Sequence, residues 1–394
     1  MRRSYLVGPF ICCLAVWTFG NGTLPLLPLY AMELGASQQV SGLFLSFAFL
    51  CLALGNGIPA VLPKTFRKQR VLILAAALPP VVLLWLAGRV TTVLELALVT
   101  GATWFFAGVI FSQTATLVGL AATKQDRGTA FGILGMTNGL GGLLGGLSVG
   151  YIADHLGYSG AFGILAAFFL LIVVGGLLSL RSPSVLISEA TGTSTGDEGR
   201  AGVGLALLFV AMLLTALSNA TGNLGRSFLM AEDRFSKSAI TLTGAVTGLA
   251  ALGLPFLMGR LADRIGRRWV LIASIAITAL SLVLLSFSRQ LWHFCAFEVL
   301  FAFLPVANAI APAYVVDVEP TGNVGRNVSL VQSFIWVGSI IGMAATGLVA
   351  ARVGTSEAVL LSCAFPAAGA FLLLLRRKVA GQGEGEVAPG SVQD

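Results

Sequence analysis

Long apolar runs alternate with short polar segments along this chain of 394 residues. Most runs reach or exceed the ~20 residues that an α-helix needs to cross the hydrocarbon core of a bilayer. The pattern therefore predicts an all-α membrane protein with twelve transmembrane helices, spans 1–12, at 8–31, 38–62, 70–88, 93–118, 126–153, 159–181, 203–230, 238–260, 269–288, 291–315, 326–351 and 356–376.

One long polar stretch, SPSVLISEATGTSTGDEGRAG at 182–202, divides the apolar runs into two groups of six. Its Ser, Thr, Gly and mixed charge are typical of a flexible linker. The predicted domains are a six-helix bundle at 1–181, a cytoplasmic linker at 182–202, a second bundle at 203–378 and a disordered tail at 379–394.

Composition excludes a soluble protein. Apolar residues make up 56% of the chain and charged residues only 10%, against roughly 25% charged in soluble domains. Mean hydropathy is +0.90, and the 48 glycines are typical of close helix packing in lipid. The net charge of +7 does not indicate nucleic-acid binding, because the cations cluster between spans.

The cations also predict the orientation, because cytoplasmic loops carry an excess of Lys and Arg. If both termini are cytoplasmic, eighteen of the 24 cations lie on the cytoplasmic side and five on the outer side, with Arg226 inside span 7. We therefore expect a multi-pass protein of the cell membrane with both termini in the cytoplasm.

The two halves repeat one another. FGNGTLPLLPLYAM at 19–32 aligns with LSNATGNLGRSFLM at 217–230, so that Asn21 matches Asn219 and Thr23 matches Thr221. Duplicated halves are typical of secondary transporters, which hold substrate near mid-membrane between the halves.

A second, independent pattern is GRLADRIGRRWVL at 259–271, between spans 8 and 9. It resembles the signature loop of the major facilitator superfamily, G-x-L-A-D-R-x-G-R-R. The resemblance implies two pseudo-symmetric six-helix bundles that rock about a central site. The fixed positions with an expected gating role are Gly259, Asp263, Arg264, Gly266, Arg267 and Arg268.

Each part of this loop carries an expectation. Gly259 should let two helices approach closely, and Gly266 should permit a tight turn. By the resemblance, Asp263 should latch against the start of span 5 and reach Arg127, because helix starts favour anions. The first-half loop has Val61 at the equivalent position, so its own latch should be weaker.

Polar residues within spans are candidates for substrate binding. Asn21 and Asn219 lie near the middle of spans 1 and 7, and Asn223 shares a face with Asn219. The alternative is that these amides join neighbouring helices. Aromatic side chains would suit bulky hydrophobic or cationic substrates, with packing as the alternative. The remaining binding candidates are Trp17, Trp104, Asn308, Gln332 and Trp336.

Arg226 and Glu298 are charged residues inside apolar spans 7 and 10, where a charge costs at least ~2.5–3.5 kcal/mol. Three interpretations remain open. The two residues form a structural ion pair, or Arg226 binds an anionic substrate group, or Glu298 carries a coupling proton.

The preferred function is export of small amphiphilic or drug-like compounds. GNGTLPLLPLYAMELGAS at 20–37 and the glycines of span 5 resemble drug exporters of the same superfamily, including its antiporters. Span 4, however, has no basic residue, which leaves Glu298 as the proton carrier or a facilitator without ion coupling. The alternatives are uptake or exchange of an organic anion or sugar, lipid translocation, and a non-transporting membrane sensor.

No pattern indicates an enzyme. The chain has no G-x-x-x-x-G-K-[ST] motif, no nucleophile–base arrangement and no metal-ligand spacing, and its five cysteines lie inside apolar spans. We expect no catalytic residue, no cofactor and no metal. The expected partners are a small-molecule substrate and the lipid bilayer, with a monomeric protein.

Overall fold

The computed structural model describes residues 6–61, 69–122, 127–180, 203–318 and 324–380. All regular elements in these ranges are helices, which confirms the predicted class. They are α1 (Val7–Thr23), α2 (Leu27–Glu33), α3 (Gln38–Val61), α4 (Gln69–Ala87), α5 (Val93–Ala121), α6 (Arg127–Leu180), α7 (Val203–Glu232), α8 (Lys237–Ile265), α9 (Arg267–Ser286), α10 (Leu291–Phe301), α11 (Phe303–Val318), α12 (Val324–Val353), α13 (Thr355–Ser362) and α14 (Ala364–Ala380).

Three predicted spans are each broken into two helices. Span 1 consists of α1 and α2, which are bent by 46° relative to one another. Pro25 lies in the break between them, where its missing backbone N–H interrupts the helical hydrogen bonds. Spans 10 and 12 break at Ala302 and Cys363.

Conversely, spans 5 and 6 run together as α6. A helix of 54 residues would be about 80 Å long, far more than the ~30 Å hydrocarbon core. Gly157 divides it, with a φ of 66° and a ψ of −178° that break the helix. The first section, residues 127–156, is span 5, and the second section is span 6.

Nine segments of the described chain are long and apolar enough to cross a membrane, and the bent pair α1–α2 passes the same test jointly. One of the nine is α6, which contains two spans. The apolar part of α4, Val71–Ala87, is only slightly short. The described helices thus account for the twelve expected crossings.

The N-half (described residues 6–180) and the C-half (203–380) meet along two seams, α6 against α8 and α3 against α12. Glycine makes both seams possible. A Cβ on Gly146 would lie 2.5 Å from the backbone N of Ala245, and one on Gly42 would lie 2.6 Å from the carbonyl of Met343. The two backbones therefore approach more closely than any side chain would allow.

Side-chain contacts between the halves gather at one end of the molecule, here called the closed end. There, Lys237 Nζ lies 3.0 Å from Glu33 Oε1, and Gln38 Nε2 donates to Glu232 Oε1 over 3.0 Å. At the opposite end, which carries Asp263 and is here called the open end, no described atom lies within 4 Å of a Cβ added at Gly57, Gly132, Gly135, Gly253 or Gly259.

The structure corrects one expectation about the signature segment. Residues 259–265 are not a loop, because they continue α8, and only Gly266 interrupts the helices, with a φ of 93°. No described atom lies within 4 Å of a Cβ added at Gly259, so the close approach of two helices expected there stays a prediction.

The boundaries of the predicted domains stay predictions. Helix α14 runs to Ala380, two residues into the expected tail. The predicted linker 182–202, the rest of the tail and the first-half loop at 62–68 lie outside the described residues.

Candidate functional site

A cavity of about 520 Å³ lies between the halves. It brings together Glu298 and all nine residues that the sequence proposed for substrate binding, Trp17, Asn21, Trp104, Asn219, Asn223, Arg226, Asn308, Gln332 and Trp336. The cavity unites residues that are far apart in the chain. That they bind substrate stays a prediction.

The N-half wall of the cavity is mostly apolar and carries five of the seven aromatic side chains in the lining. The ring of Trp104 lies 5.4 Å from that of Phe19 and 5.5 Å from that of Phe49. Asn21 Nδ2 donates to the carbonyl of Asn138 over 3.2 Å and to its Oδ1 over 2.9 Å, so this amide joins two helices while lining the cavity. The five aromatic side chains of this wall are Trp17, Phe19, Phe49, Trp104 and Phe111.

The C-half wall is more polar. Asn223 Nδ2 donates to the carbonyl and to Oδ1 of Asn219, one helical turn away, each over 2.9 Å. The polar side chains of this wall are Asn219, Asn223, Arg226, Thr247, Glu298, Asn308, Gln332 and Ser339. An amphiphile in the cavity would meet unlike surfaces on its two sides.

Arg226 and Glu298 form an ion pair in the C-half wall. Their exposed fractions are only 3% and 1%, so each charge depends on the other for compensation. Thr247 donates its hydroxyl to Glu298 Oε2. The contact that a structural ion pair requires is therefore present, and the two other interpretations stay open.

Sequence reasoning missed Thr247. Its hydroxyl could have bonded to the carbonyl of the preceding turn, as Thr243 does to the carbonyl of Ile240, and nothing in the sequence marks it as different. Asn56 and Ser339, also in the cavity lining, were missed as well.

Sequence reasoning also missed the contacts of the closed end. Asp154 of the N-half accepts from the backbone N of Lys237 over 3.0 Å and from that of Ser238 over 2.8 Å. These are the first residues of α8, so a carboxylate of one half caps a helix of the other. Tyr158 donates to Glu33 Oε1 over 3.1 Å, and Lys237 Nζ lies 3.9 Å from the centre of the Tyr158 ring.

At the open end the signature residues contact their own half. Arg267 donates to Asp317 over 2.7 Å, and Arg268 donates to the carbonyl of Leu373 over 2.7 Å. Asp263 is exposed and lies 3.8 Å from Arg267, while Arg264 is exposed.

The side chain of Arg127 lies outside the described residues. The latch between Asp263 and Arg127 therefore stays a prediction.

Among the described residues, no group of three His, Cys, Asp or Glu side chains could hold a metal ion. The polar groups of the cavity are amides, hydroxyls and one internally compensated ion pair, which are suited to reversible binding.

A cavity between two related six-helix bundles is typical of a membrane transporter. This chain belongs to the Major Facilitator Superfamily, whose family model matches residues 9–194 and 201–390. The superfamily predicted from the signature segment is confirmed, and the chain is a transporter of small molecules in a lipid bilayer rather than an enzyme.

Named relatives lie in the same superfamily. Over 333 residues the chain is 25% identical to the Multidrug resistance protein MdtG of Salmonella paratyphi A, covering 81% of this chain and 82% of that protein. It is 26% identical to the protein of the same name from Salmonella typhimurium, with the same coverage.

Solved structures share the fold. A bacterial homolog of the human lysosomal transporter Spinster is 13% identical, with a TM-score of 0.77 and coverage of 98% of both chains. The nucleoside transporter NupG is 16% identical, with a TM-score of 0.69 and coverage of 95% of this chain and 99% of that one.

Proposed function

We propose that this protein exports small amphiphilic, drug-like compounds across the cell membrane. The observation that carries the proposal is the cavity between the halves, in which the N-half supplies most of the aromatic side chains and the C-half most of the polar ones. Unlike walls suit molecules that have an apolar body and a polar group. The relatives named for multidrug resistance support the same direction of transport.

In this proposal both termini lie in the cytoplasm, because that orientation follows the distribution of cations. The open end then faces the cytoplasm, and the conformation is one that collects substrate from inside. A monomer of residues 1–181 and 203–378 rocks so that the closed end opens and the open end closes. In the state in which the cytoplasmic end is closed, Asp263 contacts the start of α6 near Arg127.

The test is dye accumulation in cells that lack their own major exporters. Expression of the full chain should lower accumulation of an amphiphilic dye, and Trp104→Ala should restore it. Trp104→Phe should retain part of the export because it keeps an aromatic ring. Trp292→Ala is the matched control, since Trp292 is 64% exposed and lies outside the cavity lining. Unchanged accumulation on expression of the wild type would count against export.

Proton coupling through Glu298 is the finer part of the proposal. Such coupling requires Arg226 to separate from Glu298 during the cycle, so that the carboxyl group can take up and release a proton. In proteoliposomes, Glu298→Gln should abolish uphill transport and leave exchange intact, whereas Asp233→Asn on the exposed surface should leave both unchanged. Uphill transport that persists in Glu298→Gln would rule out this role.

Uptake or exchange of an organic anion is a second candidate, with Arg226 as the anchor. Its weakness is that Glu298 already compensates this arginine. An anion would have to displace a buried carboxylate, which makes Arg226 a poor anchor in this conformation.

A further inference from the structure

We propose that the cavity selects its substrates by net charge, admitting neutral or zwitterionic amphiphiles and discriminating against ions with a single charge. The inference rests on the proposed function in one respect, namely that the cavity is the transport site. It goes further by assigning charge selectivity to one side-chain pair.

The electrostatic basis is the balance of the cavity walls. Arg226 and Glu298 are the only ionisable side chains among the described residues that line the cavity, and they are paired with each other. Both are almost completely buried, so water does little to screen either charge. The lining thus carries no net charge.

A singly charged ligand would disturb this balance. A cation that approached Glu298 would compete with Arg226, and an anion that approached Arg226 would compete with Glu298. In either case one buried charge would lose its partner, which is strongly unfavourable. A neutral ligand leaves the pair intact, and a zwitterion offers each member a new partner.

The walls also set the orientation of the ligand. The ion pair and most of the polar side chains belong to the C-half, whereas the N-half contributes the cluster of aromatic rings around Trp104. The polar group of a bound amphiphile therefore faces Arg226 and Glu298, and its apolar body lies against the N-half.

The test uses four probes that share a naphthylbutyl body and end in a hydroxyl, a carboxybetaine, a carboxylate or a trimethylammonium group. Binding to the purified full-length protein is measured at pH 7.5 by isothermal titration calorimetry. The alcohol and the betaine should bind at least ten-fold more tightly than the carboxylate and the trimethylammonium probe.

Charge-removing variants should change this preference in opposite directions. Arg226→Gln leaves Glu298 without its positively charged partner. Of the four probes, the trimethylammonium probe should therefore bind this variant most tightly and raise the variant's melting temperature most. Glu298→Gln should favour the carboxylate probe in the same way. Because each single variant leaves a buried charge uncompensated, the double variant is also measured. It should still bind the alcohol probe, but it should no longer bind the betaine more tightly than the singly charged probes.

Matched controls lie on the surface of the same half. Arg352→Gln and Asp233→Asn each remove one exposed charge and should leave the order of affinities unchanged. Equal affinity for all four probes, or tightest binding of a singly charged probe by the wild type, would overturn the charge selectivity and leave the transport site standing. Binding of none of the four would overturn the transport site as well.

Discussion

Lys237 Nζ lies 3.0 Å from Glu33 Oε1, and this ion pair joins the C-half to the N-half at the closed end. It is surrounded by further contacts between the halves. Asp154 caps the first turn of α8, and Gln38 of the N-half donates to Glu232 Oε1 over 3.0 Å and to Thr355 Oγ1 over 3.1 Å. In the proposed transport cycle this end opens, so we expect these contacts to set part of the free-energy difference between the two states.

The cap on α8 gives the first prediction. Asp154→Ala removes a carboxylate that accepts two backbone N–H groups, and loss of a helix cap costs ~0.5–2 kcal/mol. The population with the closed end open should rise by about 2- to 30-fold as a result. The distance between spin labels on the exposed residues Gln39 of the N-half and Arg234 of the C-half would report this opening, and Asp233→Asn should leave the distance unchanged. Equal distance distributions in Asp154→Ala and the unsubstituted protein would show that the cap does not hold this end closed.

The seam glycines give the second prediction. In Gly146→Ala the new methyl group would lie 2.5 Å from the backbone N of Ala245 and 2.6 Å from the carbonyl of Thr241. The halves must move apart at this point, so the melting temperature and the transport rate should both fall.

Gly163→Ala is the matched control on the same helix. No described atom lies within 4 Å of an added Cβ at Gly163, and alanine favours a helix by about 1 kcal/mol over glycine. This variant should keep or raise the melting temperature. An equal fall in both variants would point to a general sensitivity of α6 instead of a seam.

The sequence predicted the helices and the membership of the cavity because both follow from one-dimensional patterns. Spans follow from the length of apolar runs, and the repeat places Asn21 and Asn219 at equivalent depths. A charge inside a span, as at Arg226 and Glu298, must face a partner or a cavity because lipid offers it none.

The closed-end contacts could not be predicted in this way. Asp154 and Lys237 are 83 residues apart, and the sequence places both only at span ends. Their pairing depends on how the two halves are tilted, which is a property of one conformation. The same dependence explains Gly259, whose surroundings are open here and would change as the open end closes.

Thr247 is the subject of the third prediction. Thr247→Val keeps the shape of the side chain but removes the hydroxyl that donates to Glu298 Oε2. A hydrogen bond to a charged group contributes ~1.5–3 kcal/mol, so the free energy of unfolding in detergent should fall by about that amount. Thr247→Ser keeps the donor and should lose much less. If Thr247→Val and Thr247→Ser destabilise the protein equally, the hydrogen bond does not determine the stability at this position, and packing of the methyl group does.

The fourth prediction concerns whether Arg226 and Glu298 depend on each other. Arg226→Met and Glu298→Met each leave a buried charge without its partner, which costs about 3–5 kcal/mol. The double variant removes both charges and should be far more stable than the sum of the single effects implies. Unfolding in detergent, measured for all four proteins, gives the coupling energy between the two positions.

Arg352→Met controls for the loss of an exposed cation in the same half and should change stability by less than about 0.5 kcal/mol. Additive losses in the double variant would mean that each side chain is compensated by other groups. Strong coupling together with a transport-inactive double variant would instead show that the pair serves transport beyond stability, because a fold restored by two methionines would still lack the charges that the cavity uses.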